Sequence, residues 1–215
     1  MILYSYWRST AAYRIRIALN LLGIDYELRS VNLVKDGGEQ HKDEYKSLNP
    51  QGLVPTLIDG NVTLTQSLAI LEYLAETQPS PPLLPAAPAD RAKARQLATI
   101  ICTDIHPLNN LRVLQYLKHQ LNIDDDGRNI WYEHWVREGF RALETLLSGT
   151  TTGPYCLGKD VSIADICLVP QIYNAHRFEI PLDEYPTLIA IEAECLKLDA
   201  FDKARPENQP DAPGE

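Results

Sequence analysis

Residues 2–33 have the sequence ILYSYWRSTAAYRIRIALNLLGIDYELRSVNL, and the order of patterns within it decides the fold. Ile2 to Tyr6 is a short apolar run typical of a strand. Ala12 to Leu22 repeats apolar residues at helical spacing, and Gly23 is the residue type that commonly ends a helix. Tyr26 to Leu33 has a second strand pattern. A strand, a helix and a strand in this order predict a right-handed crossover, with both strands parallel in one sheet.

The next segments complete a small α/β domain. Asp43 to Leu48 is long enough for one short helix. Val54 to Leu64 contains Asp59-Gly60-Asn61 between two apolar runs, which is a strong hairpin signal. From Ser67 the apolar residues recur at helical spacing again. The sequence therefore predicts the element order β-α-β-α-β-β-α.

A proline-rich segment separates this domain from a helical region. Pro79 to Pro88 is too rich in proline for a helix, because proline removes an amide donor and restricts the residue before it. Beyond it the pattern is helical, over roughly Ala89 to Leu121, Arg128 to Leu147, Ser162 to Ala175 and Tyr185 to Lys197. We therefore expect an α/β domain over residues 1–80, a linker over 81–88 and an all-helical domain over 89–215. The tail from Pro206 to Glu215 is expected to wrap loosely or fray.

Composition and charge exclude several functional classes. The formal net charge of −9 repels a phosphate backbone, so nucleic acid is not an expected partner. The start of the sequence lacks the basic residues and cleavage site of a signal peptide, and no apolar run approaches the ~20 residues of a membrane span. We expect a protein of the cytoplasm that does not enter a membrane.

The cysteines are Cys102, Cys156, Cys167 and Cys195, and they are widely spaced. A structural zinc site or a redox dithiol usually contains closely spaced cysteines such as C-x-x-C, and this sequence has no such pair. The spacing favours buried, reduced thiols.

Several motifs occur with the order and spacing of a known family. They are Arg8-Ser9-Thr10-Ala11-Ala12-Tyr13-Arg14-Ile15-Arg16-Ile17-Ala18-Leu19, Lys35-Asp36-Gly37-Gly38, Leu48-Asn49-Pro50, Val54-Pro55-Thr56-Leu57, Gln66-Ser67-Leu68-Ala69-Ile70 and Ala164-Asp165. In these motifs, and across almost its whole length, the chain resembles the zeta class of the cytosolic glutathione transferases. The resemblance implies a thioredoxin-like N-terminal domain joined to a helical C-terminal domain.

The resemblance also implies an activity. Zeta-class proteins include enzymes that use glutathione as a cofactor to isomerise a dianionic cis-enone, here 4-maleylacetoacetate of tyrosine and phenylalanine catabolism. The alternatives are isomerisation of maleylpyruvate in gentisate degradation, general glutathione conjugation, and a non-catalytic glutathione-binding role. A homodimer is implied and a metal is not.

Ser9 and Thr10 are the candidate catalytic residues. From the pattern alone, a hydroxyl residue before a helix is far more often a helix cap than a catalytic group. By resemblance, Ser9 is the residue closest to the glutathione sulfur and Thr10 assists it, and the spacing leaves open which hydroxyl dominates. Many zeta members have cysteine at the next position, where this chain has Ala11. Side activities that depend on that cysteine are therefore not expected.

The remaining candidates for glutathione contact also come from the resemblance. Val54 precedes Pro55 at the family position where a cis-proline turn presents backbone groups to the cysteinyl unit. Gln66 and Ser67, at the start of a helix, match the site of the γ-glutamyl carboxylate. Gln40 matches a contact to the glycyl end.

Arg8 and residues of the helical region complete the predicted site. Arg177 matches the family arginine that holds a substrate carboxylate, and Arg8 and Arg112 are further candidates to bind the dianion. For Arg8 and Arg112 a solvated or salt-bridged arginine is the competing interpretation. His106 and Asn110 are four residues apart, so we expect them to share a helix face. The resemblance implies that this segment contributes to the glutathione cleft, so both residues are expected to contact glutathione.

Overall fold

The computed structural model of the chain describes residues 1–149 and 153–213, and the chain divides into two compact units. The first unit contains Met1–Leu83 together with the chain from Leu196 onwards. The second unit is Leu84–Cys195.

A four-stranded sheet with the order β2-β1-β3-β4 forms the centre of the first unit. Its strands are β1 (Ile2–Ser5), β2 (Glu27–Ser30), β3 (Thr56–Asp59) and β4 (Val62–Thr65). β1 and β2 are parallel, as the strand-helix-strand pattern predicted, and the other neighbours are antiparallel. The predicted hairpin is therefore confirmed as β3 and β4.

Helix α1 (Thr10–Leu21) connects β1 to β2 and has a defined cap at each end. At its start, the Ser9 side chain accepts a hydrogen bond from the Ala12 backbone N–H at 3.2 Å. At its end, the amides of Gly23 and Ile24 donate back to the carbonyls of Asn20 and Leu19 at 3.1 and 3.0 Å, which is a Schellman motif. Gly23 has a φ of 64°, so the predicted role of this glycine in ending the helix is confirmed.

The N-terminal part of this unit also contains two further α-helices and two 3₁₀ turns. α2 spans Asp43–Lys46 and α3 spans Ser67–Thr77. The polar segment after β2 contains two 3₁₀ turns, Lys35–Gly37 and Glu39–His41.

The described part of the second unit contains helices and no paired strands beyond one isolated bridge. Its elements are α4 (Pro88–Thr99), a π-helical segment (Ile100–Ile105), α5 (Leu111–His119), α6 (Asp125–Leu147), α7 (Ile163–Arg177) and α8 (Pro186–Cys195). Pro88, which the sequence placed in the linker, begins α4, because a proline at the first helical position needs no amide donor. Within residues 1–149 and 153–213, no helix is long and apolar enough to cross a membrane.

The long helical pattern predicted over 89–121 is interrupted. The chain leaves the π-helical segment at Ile105 and forms turns before α5 begins at Leu111. Pro107 lies in this break, where its missing amide donor disfavours a continuous helix. His106 and Asn110 therefore do not share one helix face, and the expectation that they would is wrong.

A buried carboxylate starts α7. Asp165 is fully buried and accepts hydrogen bonds from the backbone amides of Ser162 and Cys156, both at 2.8 Å. Ser162 in turn accepts from the Ala164 amide, and the two side chains form a capping box at the start of α7. Burial raises the pKa of Asp165, although these hydrogen bonds act in the opposite direction.

The C-terminal segment packs on the first unit instead of extending the helical one. Its helix α9 (Asp199–Ala204) contacts α1, and the Asn20 side chain donates to the Ala200 carbonyl at 3.0 Å. Further on, the Asp211 carboxylate accepts from the Trp7 amide at 3.0 Å and the Ser30 hydroxyl at 2.8 Å. The described part of the tail is thus held by specific hydrogen bonds, which its lack of an apolar stripe did not suggest.

Arg16 connects three parts of the first unit through its guanidinium. The side chain is fully buried in the middle of α1. Its nitrogens donate to the Ser5 hydroxyl at 3.1 Å and to the carbonyls of Tyr6, Trp7 and Ala204 at 3.4, 3.0 and 3.0 Å. A buried guanidinium needs such acceptors, because an unpaired charge in the core is costly. The end of β1, the loop before Ser9 and α9 are therefore held at one point.

Replacing Arg16 with methionine is expected to lower the free energy of unfolding by about 3 kcal/mol, because several acceptors lose their buried donor. Urea denaturation of the full chain measures the change. The control is Arg29→Met, which removes an exposed arginine of β2 paired with Glu27 and should change the stability little. Equal effects of the two substitutions would contradict the role given to Arg16.

Candidate active site

Ser9 lies at the N-terminal end of α1, where its side-chain hydroxyl and the positive end of the helix dipole lie close together. Its hydroxyl accepts from Ala12, and its carbonyl accepts from the Tyr13 amide at 2.8 Å. A hydroxyl has one hydrogen and two lone pairs, so capping uses a lone pair and leaves the hydrogen for another acceptor. The helix dipole adds a partial positive charge at the same place. This end of α1 is suited to bind an anion.

The neighbours of Ser9 differ in exposure. Thr10 is 5% exposed and Ala11 is 8% exposed, whereas Ser9 is partly exposed. The Arg8 side chain is partly exposed too, and its guanidinium carbon lies 5.3 Å from the centre of the Trp7 ring. Ser9 and Arg8 are thus the polar side chains of this motif that solvent reaches most easily.

The loop before β3 has the form that the resemblance implied. The Val54–Pro55 peptide bond is cis. Just before it, the Leu53 carbonyl accepts from the Tyr45 hydroxyl at 2.6 Å and from the Asn49 side chain at 2.7 Å. The path of the backbone into Val54 is therefore set by side chains of α2 and of the turn that follows it.

Gln40 is buried beside this loop. Its side-chain nitrogen lies 3.3 Å from the Leu33 carbonyl and 3.1 Å from a ring nitrogen of His41, while its side-chain oxygen has no hydrogen-bond partner among residues 1–149 and 153–213. A Cβ on Gly52 would lie 2.9 Å from the Gln40 carbonyl oxygen. The Gln40 segment therefore packs directly on the turn that leads to Val54.

Gln66 and Ser67 begin α3 in an uncommon conformation. Gln66 has a φ of 67° and a ψ of 111°, a region that side-chain-bearing residues rarely adopt. Its side-chain nitrogen donates to the Gln51 side-chain oxygen at 2.6 Å. The Ser67 hydroxyl, which is buried, accepts from the Arg14 guanidinium at 3.0 Å. The start of α3 is thus tied to the turn before Val54 and to α1.

These contacts bring the first-unit candidates together. The turn 49–53 touches Gln40, leads into Val54 and holds Gln66 through Gln51. Arg14, five residues after Ser9, holds Ser67. The structure therefore links the predicted hydroxyl, backbone and amide contacts through short-range packing and hydrogen bonds.

In the second unit, His106 and Asn110 lie in the break between the π-helical segment and α5. Asn110 caps α5 by accepting from the Arg112 amide at 3.2 Å. The break is held against α6, because Trp131 donates to the Leu108 carbonyl at 2.9 Å. The Arg112 side chain is exposed in the first turn of α5.

Arg177 is the last residue of α7 and has an aromatic support. Its guanidinium carbon lies 4.6 Å from the centre of the Phe178 ring, and Phe178 stacks on Tyr132 of α6 with 3.7 Å between ring centres. Burial raises the pKa of Tyr132 to about 12, while Arg177 hydrogen-bonds its hydroxyl. Tyr132 therefore stays protonated at neutral pH and helps to position the exposed arginine.

Four supporting residues were not singled out from the sequence, namely Arg14, Arg16, Gln51 and Tyr132. A signal existed for the two arginines. In α1, apolar residues occur on all faces of the helix, and a helix of this kind is buried. Charged residues within it therefore need buried hydrogen-bond partners. Gln51 and Tyr132 carry no comparable pattern, since their partners are set by tertiary contacts.

The backbone strain at Gln66 can be measured with a matched pair of substitutions. Gln66→Gly should be more stable than Gln66→Ala by about 1 kcal/mol, because only glycine adopts a φ of 67° without steric cost. Both substitutions remove the hydrogen bond to Gln51, so the difference in stability between them reports the strain of the backbone conformation. Urea denaturation compares the two, and equal stabilities would show that the backbone at this position is not strained.

Comparison with known proteins places this geometry in a family. A family model described as the glutathione S-transferase N-terminal domain matches residues 1–76. A probable maleylacetoacetate isomerase of Vibrio cholerae is 54% identical over 99% of this chain and 98% of its own length.

Solved structures agree with this similarity. A maleylpyruvate isomerase described as a bacterial glutathione transferase of the zeta class superposes with a TM-score of 0.96 at 46% identity, covering 99% of this chain and 100% of the other. A maleylacetoacetate isomerase from Methylobacterium extorquens AM1, with bound malonate and glutathione, has a TM-score of 0.95 and 44% identity over 100% of both chains. This chain belongs to the zeta class of the glutathione transferases.

Proposed function

We propose that this chain is a glutathione-dependent cis-trans isomerase that converts 4-maleylacetoacetate to fumarylacetoacetate in tyrosine and phenylalanine catabolism. We further propose that it acts in the cytoplasm as a homodimer. The observation that carries the proposal is the partly exposed Ser9 hydroxyl at the start of α1, in a chain similar over its full length to isomerases of this kind.

The first unit offers groups that fit each part of glutathione. Glutathione is an extended tripeptide with a thiol and two carboxylates. Ser9 and the start of α1 suit the thiol, and the backbone of Val54 suits the cysteinyl unit. Gln66 and Ser67 at the start of α3 suit the γ-glutamyl carboxylate. Gln40 is assigned to the glycyl end.

Activation of the thiol is the first task of the site. A thiol with a pKa near 8.5 is only slightly ionised at neutral pH, and the thiolate is the nucleophile. A helix N-terminus contributes ~1 kcal/mol and a hydrogen bond to the anion contributes ~2 kcal/mol, which together lower the thiol pKa by about two units. That shift makes the thiolate the main form at neutral pH.

Ser9 is the better candidate for this hydrogen bond. It is more exposed than Thr10, and its capping bond does not use its hydrogen. The sequence has no cysteine before Cys102, so the first 101 residues provide no protein thiol. When bound, glutathione supplies the thiolate that adds to the substrate double bond and later leaves it.

Charged residues bind the substrate and stabilise its developing charge. We assign a substrate carboxylate to Arg177, because a guanidinium binds a carboxylate through two parallel hydrogen bonds and Phe178 and Tyr132 hold this one in place. Arg8 and Arg112 are further candidates for the dianion, and His106 and Asn110 for glutathione. The Methylobacterium extorquens relative binds malonate, a small dicarboxylate, together with glutathione. Arginine near the substrate oxygen lowers the barrier by electrostatic stabilisation.

Maleylpyruvate is the second candidate substrate. A maleylpyruvate isomerase is 46% identical to this chain and superposes closely on it. The two substrates share a cis-enone and differ in chain length. Residues that contact the far end of the substrate therefore decide between them.

The substrate is identified by measuring kcat/KM for 4-maleylacetoacetate and maleylpyruvate side by side, with glutathione present. We expect 4-maleylacetoacetate to be favoured by about tenfold, the usual effect of a small difference in substrate size. The reverse order would assign the chain to gentisate degradation. Conjugation of chlorodinitrobenzene faster than either reaction would indicate a general transferase, and no acceleration over free glutathione would overturn the proposal.

The catalytic role of the hydroxyls is tested by the double substitution Ser9→Ala, Thr10→Ala. Loss of the hydrogen bonds to the thiolate should lower kcat/KM by about 100-fold, which corresponds to about 2.7 kcal/mol. Ser47→Ala, which removes an exposed hydroxyl bonded to the Glu44 carbonyl, is the control and should keep full activity. Because Ser9 also caps α1, circular dichroism must show that the double variant is folded. A folded double variant with unchanged activity would contradict the assignment.

A further inference from the structure

Two cysteines that are distant in the sequence touch in the second unit. Cys102 lies in the π-helical segment Ile100–Ile105, and Cys167 lies in α7. Their sulfur atoms are 3.7 Å apart, with the Cys102 thiol donating towards Cys167. The sequence spacing argued against a close pair of thiols, but packing between the π-helical segment and α7 creates one.

The two thiols differ in access to solvent. Cys102 is partly exposed, whereas Cys167 is fully buried. A dissolved reagent therefore reaches Cys102 first, and Cys167 is placed to react with the sulfur of Cys102. An exposed attacking thiol beside a buried resolving thiol is the usual arrangement of a redox-active pair.

The two sulfur atoms are in contact, and a small movement would bring them to bonding distance. A disulfide has a sulfur–sulfur length of about 2.05 Å, so the atoms must approach by about 1.7 Å. Rotation of the two side chains supplies part of this movement. The π-helical segment is a wide turn, with the His106 amide bonded to the Ile101 carbonyl at 2.9 Å, and segments of this kind are frequent at functional sites.

We infer that Cys102 and Cys167 form an intramolecular disulfide by exchange with a small disulfide, for which glutathione disulfide is the probe. The Cys102 thiolate attacks one sulfur of glutathione disulfide, whose sulfur–sulfur bond breaks, and one glutathione leaves with the electron pair. The Cys167 thiolate then attacks the Cys102 sulfur and displaces the second glutathione. The protons lost by the two cysteines end on the two glutathione thiols, so two protein thiols are oxidised and one small disulfide is reduced.

The other two cysteines provide an internal comparison. Cys156 and Cys195 are buried, and burial together with the Asp165 carboxylate raises the pKa of both thiols. Both are shielded from solvent, so a dissolved disulfide does not reach them, whereas the buried Cys167 needs to reach only the sulfur of Cys102 beside it. The exchange is expected at Cys102 and not at these positions.

The disulfide would connect two elements that end at, or directly before, candidate site residues. The π-helical segment ends directly before His106, and α7 ends at Arg177. The inference does not rest on the proposed isomerase activity, because the exchange needs only the two thiols and the small disulfide.

The test uses the reduced full-length protein in native buffer with glutathione disulfide. Intact mass should fall by two hydrogens, two glutathione molecules should be released per chain, and peptide mapping should find Cys102 joined to Cys167. The variant Cys167→Ala should stop at a mixed disulfide of glutathione with Cys102 and release one glutathione. The variant Cys102→Ala should release none.

Three results would overturn the inference. They are a mixed disulfide that persists in the unsubstituted protein, first reaction at Cys156 or Cys195, and a Cys102–Cys167 bond that forms only in denaturant. Circular dichroism checks the fold of each variant. If Cys167→Ala does not fold, the unsubstituted protein and Cys102→Ala, whose side chain is partly exposed, still decide the question.

Discussion

The hydrogen bonds of the buried Arg16 guanidinium are the interactions on which the rest of the first unit depends. It satisfies its donors with the Ser5 hydroxyl and with backbone carbonyls of the loop before α1 and of α9. Loss of these acceptors would leave a buried charge unpaired, at a large cost in folding free energy. The loop before α1 therefore has little conformational freedom. The position of Ser9 at the start of α1 follows from that constraint, since the Ser9 amide also donates to the Tyr6 carbonyl at 2.9 Å.

Hydrogen bonds from side chains also hold the other parts of the candidate site. Arg14 holds Ser67, Gln51 holds Gln66, and the Leu53 carbonyl is held from two sides before the cis peptide bond. Loop residues that would otherwise move are thus fixed by side chains from helices and turns. Such pre-organisation matters for thiolate stabilisation, because donors that are already in place need not reorganise when the anion forms.

Local patterns in the sequence were sufficient for the β1-α1-β2 crossover, the β3-β4 hairpin and the α1 caps. They were insufficient wherever the outcome depends on distant residues. The packing of α9 on α1 joins positions about 180 residues apart, as in the bond from Asn20 to Ala200. The contact of Cys102 with Cys167 likewise comes from tertiary packing. For the site, motif resemblance supplied Ser9, Val54 and Gln66, but not the buried arginines and Gln51 that support them.

The most direct test of the central claim is the pKa of the glutathione thiol when it is bound to the protein, followed by the ultraviolet absorbance of the thiolate. We expect a pKa about two units below the value in water. Ser9→Gly, which removes the hydroxyl but costs a helix cap only a few tenths of a kcal/mol, should raise this bound-state pKa by more than one unit. A bound thiol that titrates as it does in water, or one whose pKa is the same with and without the Ser9 hydroxyl, would contradict stabilisation of the thiolate by Ser9 at the start of α1.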